Sequence, residues 1–278
     1  MISLGPFSIR IVIVAVAAFV AWLVARLLAR NLPDGHHKTA GGLILDALFV
    51  GLVAARLGYI TSWWSEYSSA PLSMLAIGDG GFNWWLGMLA AFVFLLWRTR
   101  SMPALRRPAF AGVASGLLAW TLAGGALTLL QRSAPPLPDL QLTTLDARSV
   151  SLSSYAGRPT VVNLWATWCP PCRREMPAFQ QAQETFPGVA FVLVNQGESS
   201  QVIRTFLQRE GLVLEHVLLD PPSRAMQALG ARGLPTTLFF DAQGRLVDSH
   251  MGELTTARMK DTLLRRFGPE AALQTDRE

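Results

Sequence analysis

Four apolar runs lie in the first half of this 278-residue chain: Ile11–Ala25, Gly41–Trp64, Phe82–Trp97 and Ala109–Leu130. Each is close to the ~20 residues needed to span a bilayer. Helices apolar all round must be buried or lie in lipid, so the chain reads as a membrane half followed by an aqueous half. Charge divides in the same place. Residues 1–131 hold nine Lys/Arg against four Asp/Glu, whereas residues 132–278 hold fifteen of each. The basic excess therefore flanks apolar segments and forms no patch on the aqueous half. That pattern speaks for membrane topology and against nucleic acid as a partner.

A cleaved signal peptide is the simpler reading of the first run, but only Arg10 precedes it and the basic cluster follows it. A retained helix is expected. Arg26, Arg30 and Lys38 follow run one, and Arg98, Arg100, Arg106 and Arg107 follow run three. Glu66 and Asp79 are the charges between runs two and three. The positive-inside rule places both basic loops in the cytoplasm. The expected product is a multi-pass protein of a bacterial cytoplasmic membrane, with both termini and residues 132–278 on the periplasmic side. Asp46 and Arg56 fall inside run two. They mark either a functional intramembrane site or, for Asp46, a cytoplasmic end and, for Arg56, a polar bundle interior or a head group.

MISLGPFSIR, ARLGYI (Ala55–Ile60) and APLSMLAIGDGGFNWWLGML (Ala70–Leu89) resemble the N-terminal part of prolipoprotein diacylglyceryl transferase. That enzyme moves a diacylglyceryl group from phosphatidylglycerol to a lipoprotein cysteine. The resemblance is truncated and degenerate. Trp85 stands where the family has a histidine, Ile11 and Val12 replace an aromatic pair, and the Gly-Arg-x-Gly-Asn-Phe-x-Asn-Gly-Glu signature is missing. Trp85 offers no general base for an incoming thiol. The half is read as an anchor or docking platform in the lipid bilayer, with residual transferase or lipid-binding activity as the alternative.

Residues 132–139 contain SAPPLPD, three prolines in seven residues, and read as a stiff linker. Residues 140–278 then alternate strand and helix. LTTLDARSVSL reads as a hairpin, PTVVNLWA and VAFVLVNQ as strands buried on both faces, and HVLLD as a third. TTLFF and RLVDSHM form an antiparallel pair across DAQG, and helices follow the cysteines, Ser199, Ser223 and Leu254. The fold class is a four-helix membrane bundle (1–131) joined to an α/β domain with a mixed central sheet (140–278).

The only cysteines, Cys169 and Cys172, stand in NLWATWCPPCRREMP. Cys169 falls between a buried strand and a helix, at the N-cap, where the helix dipole and a backbone N–H stabilise a thiolate. Pro170 and Pro171 have no N–H, so the first donor is the Cys172 amide. Arg173 and Arg174 add positive charge. Cys169 is the expected attacking thiol and Cys172 the resolving one. Pro170 suits the first helical position, although Pro171 biases it away from helical ψ. Glu175, three residues from Cys172, shares its helix face and is either a proton acceptor for that thiol or an ordinary first-turn acid. Zinc would need two more ligands, and His36 and His37 lie on the cytoplasmic side, leaving His216 and His250 outside any ligand cluster. A permanent disulfide over two intervening residues closes too short a loop to stabilise much. Redox cycling is expected, with no metal and no cofactor.

WATWCPPCRREMP with its upstream strand, and GLPTTLFFDAQG downstream, resemble the membrane-anchored TlpA/ResA-type disulfide reductases of the thioredoxin superfamily. The resemblance implies a cis Pro235 facing the redox pair, with Leu234 and Pro235 shaping a substrate groove alongside Trp168, Pro170 and Pro171. Trp165 is either part of this aromatic surface or core. Asn163 stands where thioredoxin has a buried aspartate, and the resemblance makes Glu175 the proton carrier instead.

The expected activity is reduction of disulfides in exported proteins by Cys169/Cys172 exchange. Residues 1–131 contain no cysteine, so a separate thiol donor is required; by resemblance it is a DsbD- or CcdA-like membrane reductase. A disulfide oxidase of the same fold is the alternative. A thiol peroxidase would need a peroxidatic cysteine in its own loop.

Overall fold

The computed structural model describes residues 3–4, 7–30, 32, 36–131 and 136–269. Their contacts define two compact units. One comprises the described residues of Ile2–Ser65 and Gly81–Ser133, the other those of Glu66–Gly80 and Ala134–Glu278.

The first unit is helical. A two-residue strand pair, β1 (Ser3–Leu4) with β2 (Phe7–Ser8), precedes α1 (Ile9–Leu28) and α2 (His36–Ser62). The short α3 (Trp64–Ser69) comes next, then α4 (Trp84–Arg98) and α5 (Arg106–Gln131). The four expected runs thus each form a helix. Lys38–Ser62 and Pro103–Ala126 are long and apolar enough to cross a membrane, whereas Val12–Leu28 and Trp84–Arg98 are shorter. Helix α1 packs along α5, and α2 along α4. Both seams rely on missing side chains. A Cβ on Gly112 would stand 2.6 Å from the Ala21 carbonyl oxygen, and one on Gly87 2.7 Å from that of Gly51. Gly112 and Gly116 face the Ala17–Ala21–Ala25 row of α1, the small-xxx-small pattern that brings helix backbones together in lipid. Arg56 is buried with partners: Nη1 donates to the Gly81 carbonyl at 2.8 Å and the guanidinium lies over the Phe82 ring. Asp46 is exposed on α2.

The second unit is built on a seven-stranded mixed sheet. Strands β3 (Gln141–Thr144) and β4 (Ser149–Ser151) make the expected hairpin. Then come β5 (Thr160–Trp165), α6 (Pro170–Thr185), β6 (Ala190–Gln196), α7 (Ser200–Glu210) and β7 (His216–Asp220). The chain continues through α8 (Arg224–Ala228), β8 (Thr236–Phe240), β9 (Leu246–Met251) and α9 (Thr256–Phe267). Sheet order is β4-β3-β7-β6-β5-β8-β9, with β5, β6 and β7 parallel and the other neighbours antiparallel. Gly211 ends α7 in the left-handed region at φ 65°, which glycine adopts without steric cost.

Period-two alternation sorts the central strands onto two cores. Val161 and Trp165 of β5 and Phe191 and Leu193 of β6 pack with Phe179, Phe206, Met259 and Leu263 of the helices. Val162, Leu164, Val192 and Val194 pack on the other face with Leu152, Leu218 and Leu238. Asn163 shares the first face and therefore lies beneath α6. Residues 132–135 of the expected linker lie outside the described residues. Leu137 of the same stretch is buried in the second core, its N–H donating to the Gly244 carbonyl at 2.8 Å.

Glu66–Gly80 carries α3 and two 3-10 turns, Pro71–Leu75 and Ile77–Asp79. Lys260 Nζ of α9 meets Glu66 Oε1 at 2.8 Å, and Thr255 Oγ1 meets Asp79 Oδ2 at 3.1 Å. In the sequence this stretch reads as the connection between two apolar runs and as part of the transferase resemblance, with no signal for its attachment to α9.

Candidate functional site

The site lies at the sheet edge where β5 and β6 end and β8 begins. Parallel pairing sets Trp165 opposite Asn195, and antiparallel pairing sets Leu164 opposite Thr236. The segments after Trp165, after Gln196 and before Thr236 therefore converge.

Cys169 is the N-cap of α6, and its sulfur accepts the Cys172 N–H at 3.3 Å. Pro170 and Pro171 occupy the first two helical positions, where neither needs an intrahelical N–H partner. Cys169 and Cys172 form a disulfide with Cα atoms 5.3 Å apart. Cys172 is fully enclosed and Cys169 is 4 % exposed. Trp168 projects into solvent at 68 % exposure, whereas Trp165 is enclosed against Phe206. Of its two readings, Trp165 is core.

Along α6, Cys172, Glu175, Met176 and Phe179 form one buried face at i, i+3, i+4 and i+7. That phase drives Glu175 inward, to 1 % exposure. Asn163 Nδ2 donates to Glu175 Oε1 at 2.8 Å, and the Leu254 N–H donates to Oε2 at 3.0 Å. Asn163 Nδ2 also reaches Thr237 Oγ1 at 3.1 Å. Burial is the largest influence on the Glu175 carboxyl and pushes its pKa up to about 8. The two hydrogen bonds oppose that rise and the nearby Glu253 charge adds to it. A carboxyl so placed is largely neutral at pH 7 and can exchange a proton close to that pH.

The electropositive setting expected from Arg173 and Arg174 is weaker than the sequence suggests. Arg173 pairs with Glu210 at 3.2 Å and lies over Phe206, and Arg174 pairs with Glu253 at 2.6 Å. These carboxylates come from α7 and the β9–α9 loop, distant in sequence, so local spacing could not reveal them.

The Leu234–Pro235 peptide is cis, directly before β8. Pro235 is buried and Leu234 half-buried. The Pro235 carbonyl accepts the Gly252 N–H at 2.9 Å, and the Gly233 carbonyl accepts the Thr236 hydroxyl at 2.7 Å.

Sequence reasoning missed Glu198. Its carboxylate takes the Thr167 N–H at 2.7 Å, the Thr167 hydroxyl, and Asn195 Nδ2 at 2.7 Å. It thereby ties the turn carrying Trp168 and Cys169 to the end of β6. The available signal was an acid just past a central buried strand, at the edge where the cysteines emerge. His216 is on β7 against Tyr155, and His250 is on β9 with Nε2 3.2 Å from the Glu253 carbonyl. Three strands lie between them in the sheet, and burial lowers the pKa of both. Among the described residues no group of three or more His, Cys, Asp or Glu could hold a metal ion.

A mixed sheet, a Cys-x-x-Cys pair capping the helix after its central strand, and a cis-proline at the neighbouring strand define a thioredoxin-like thiol-disulfide oxidoreductase. Comparison with known proteins gives the family. ResA, a thiol-disulfide oxidoreductase of Geobacillus thermodenitrificans, is 33 % identical over 128 residues, 45 % of this chain and 73 % of its own. ResA of Halalkalibacterium halodurans is 31 % identical over 144 residues, 51 % of this chain and 81 % of its own. The chain belongs to the ResA family of thiol-disulfide oxidoreductases. Residues 134–249 match the AhpC/TSA family, and residues 1–126 match prolipoprotein diacylglyceryl transferase. A crystal structure described as a thiol:disulfide interchange protein of the thioredoxin family from Chlorobium tepidum aligns with 29 % identity. It covers 49 % of this chain and 97 % of its own, with a TM-score of 0.43.

Proposed function

We propose that this protein is a membrane-anchored, periplasmic reductase of disulfides in exported proteins. The observation that carries the direction of electron flow is the poor support for a thiolate at Cys169. Two prolines remove the first two helix N–H groups, leaving the Cys172 amide as donor, and both neighbouring arginines are paired with carboxylates. Strong oxidases owe their potential to a stabilised reduced form, and less of that stabilisation is available here.

In the proposed cycle the Cys169 thiolate attacks a substrate disulfide, forming a mixed disulfide and releasing one substrate thiolate. Cys172 gives its proton to the Glu175 carboxylate and attacks Cys169 Sγ. The second substrate thiolate leaves, and the Cys169–Cys172 disulfide remains with Glu175 protonated. Two electrons pass to the substrate. A separate dithiol donor of the DsbD/CcdA kind then attacks Cys169 Sγ through one thiolate, and Glu175 returns its proton to the departing Cys172. The donor's second thiolate attacks the donor sulfur of that mixed disulfide, which frees the Cys169 thiolate and leaves the donor as a disulfide. Trp168, Pro170, Pro171, Leu234 and Pro235 form the docking surface. The Pro235 carbonyl is already engaged by Gly252, so backbone pairing with a substrate falls to Leu234.

For the membrane half we propose four spanning helices with a periplasmic redox domain. Glu66–Gly80 shares one compact unit with residues from Ala134 onward, which supports the same side of the bilayer for both. That agrees with the side given by the basic loops. At 1.5 Å per residue the fifteen residues of α4 reach about 22 Å, so α4 requires local thinning of a ~30 Å core.

The test is mixed-disulfide trapping. Cys172→Ser in the full chain should accumulate covalent adducts with exported proteins through Cys169, and Cys169→Ser should not. Equal adducts from both variants would reject the assignment.

A further inference from the structure

Asp79 is a carboxylate in a short connection, yet it is 1 % exposed. Burial this deep is rare for aspartate unless it is paired. Its Oδ2 accepts two hydroxyls, from Tyr67 at 2.9 Å and from Thr255 at 3.1 Å. Thr255 is the N-cap of α9 and also accepts the Arg258 N–H at 3.3 Å. A threonine hydroxyl has one proton to give. Here that proton goes to Asp79 while a lone pair caps the helix, so the Thr255 side chain is held from both directions. The preceding residue, Leu254, is 1 % exposed and supplies the N–H that meets Glu175 Oε2. A second attachment, Lys260 to Glu66 at 2.8 Å, holds the other end of the same segment against α9.

We propose that Asp79, carried by the connection between α2 and α4, is a positioning residue of the redox site: it fixes the turn that presents the Leu254 N–H to Glu175. One hydroxyl and one peptide separate the two carboxyl groups along this path. Residues 66–80 fall within the region that matches prolipoprotein diacylglyceryl transferase, so that half contributes to the redox chemistry as well as to anchoring. The proposal rests on Glu175 as the proton carrier. The groups facing Glu175 are Asn163 from β5, and the Leu254 N–H and Glu253 charge from the β9–α9 loop. Near Asp79 and Thr255, His250 lies among Arg258, Asp79 and Asp248. The Leu254 hydrogen bond favours the ionised carboxyl. Loosening it moves proton acceptance to higher pH.

The experiment is single-turnover reduction of oxidised glutathione by the reduced full-length protein in detergent, from about pH 5 to pH 10. The limb that Glu175→Gln abolishes is the Glu175 limb; if that variant keeps the wild-type profile, the proton-carrier reading fails by itself. Asp79→Ala should move the limb upward by about one pH unit, a tenfold lower rate on its acid side. Asp79→Asn keeps an oxygen acceptor for Thr255 and should restore the wild-type profile. Thr255→Val should reproduce Asp79→Ala and Thr255→Ser should not, which decides the matter even if Asp79→Ala does not fold. Superimposable profiles for wild type and Thr255→Val overturn the proposal.

Discussion

Asn163 Nδ2 donates to Glu175 Oε1 at 2.8 Å, joining the middle of the central strand to the face of α6 that carries Cys172. The amide leaves Glu175 as the carboxyl of this contact, the group to which the proposed cycle assigns the proton. Asn163→Asp would set two carboxyls in contact, and like charges at such a distance cannot both ionise. The Glu175 limb of the pH–rate profile should then move upward, and substrate reduction at pH 7 should fall several-fold. An unchanged profile would mean that the Asn163 contact does not govern this proton.

Glu175 also makes stability depend on pH. Its pKa rises from the ordinary value of 4.5 to about 8 on folding. Between those values the folded state holds the proton that the unfolded chain has lost. Stability therefore falls as pH rises through that window, by an amount on the order of a few kcal/mol. Glu175→Gln resembles the neutral acid and should remove this slope, so the variant gains on the wild type in denaturant titrations toward pH 8. Its disulfide exchange should be slower by about 10²-fold or more, the usual contribution of a positioned proton carrier. Equal slopes for the two proteins would contradict the burial argument.

Much of this was legible in the sequence. The fused apolar runs of β5 and β6, the Cys-Pro-Pro-Cys turn and the DAQG hairpin located the sheet, the helix N-cap and the neighbouring strand. What stayed hidden depends on contacts between distant residues. The pairing of Arg173 with Glu210 and of Arg174 with Glu253 needs α7 and the β9–α9 loop brought to α6. Glu198 meets the turn at Thr167 only in the fold, across a sequence separation of 31 residues. Residues 66–80 gave no periodic signal, because two short 3-10 turns and a six-residue helix have too few repeats to show a face.

The paired arginines make a prediction with a defined sign. Glu210→Gln and Glu253→Gln release Arg173 and Arg174, so the double variant should lower the Cys169 thiol pKa. Alkylation of the reduced protein by iodoacetamide should then extend to lower pH. Both ion pairs are partly exposed, and their loss should cost no more than about 1 kcal/mol of stability. A thiol profile matching the wild type would show that these carboxylates do not shield the site.

The α1–α5 seam predicts a separable defect. Gly116→Leu must displace Ala17 and Ala21, because a Cβ there already stands 2.8 Å from the Ala21 Cβ and 2.9 Å from the Ala17 carbonyl oxygen. Thermal aggregation in detergent should begin at a lower temperature, while the Cys169–Cys172 pair still oxidises and reduces. A wild-type aggregation temperature would show that the helices can part without loss.

The reduction potential of the full-length protein, equilibrated against dithiothreitol or glutathione buffers, tests the central claim most directly. Residues 66–80 are part of the redox unit, so the intact chain is the proper sample. A reductase with a weakly supported thiolate should lie near the thioredoxin value of about −270 mV. A value near about −120 mV, that of a strong oxidase, would contradict the account and reverse the direction of electron flow.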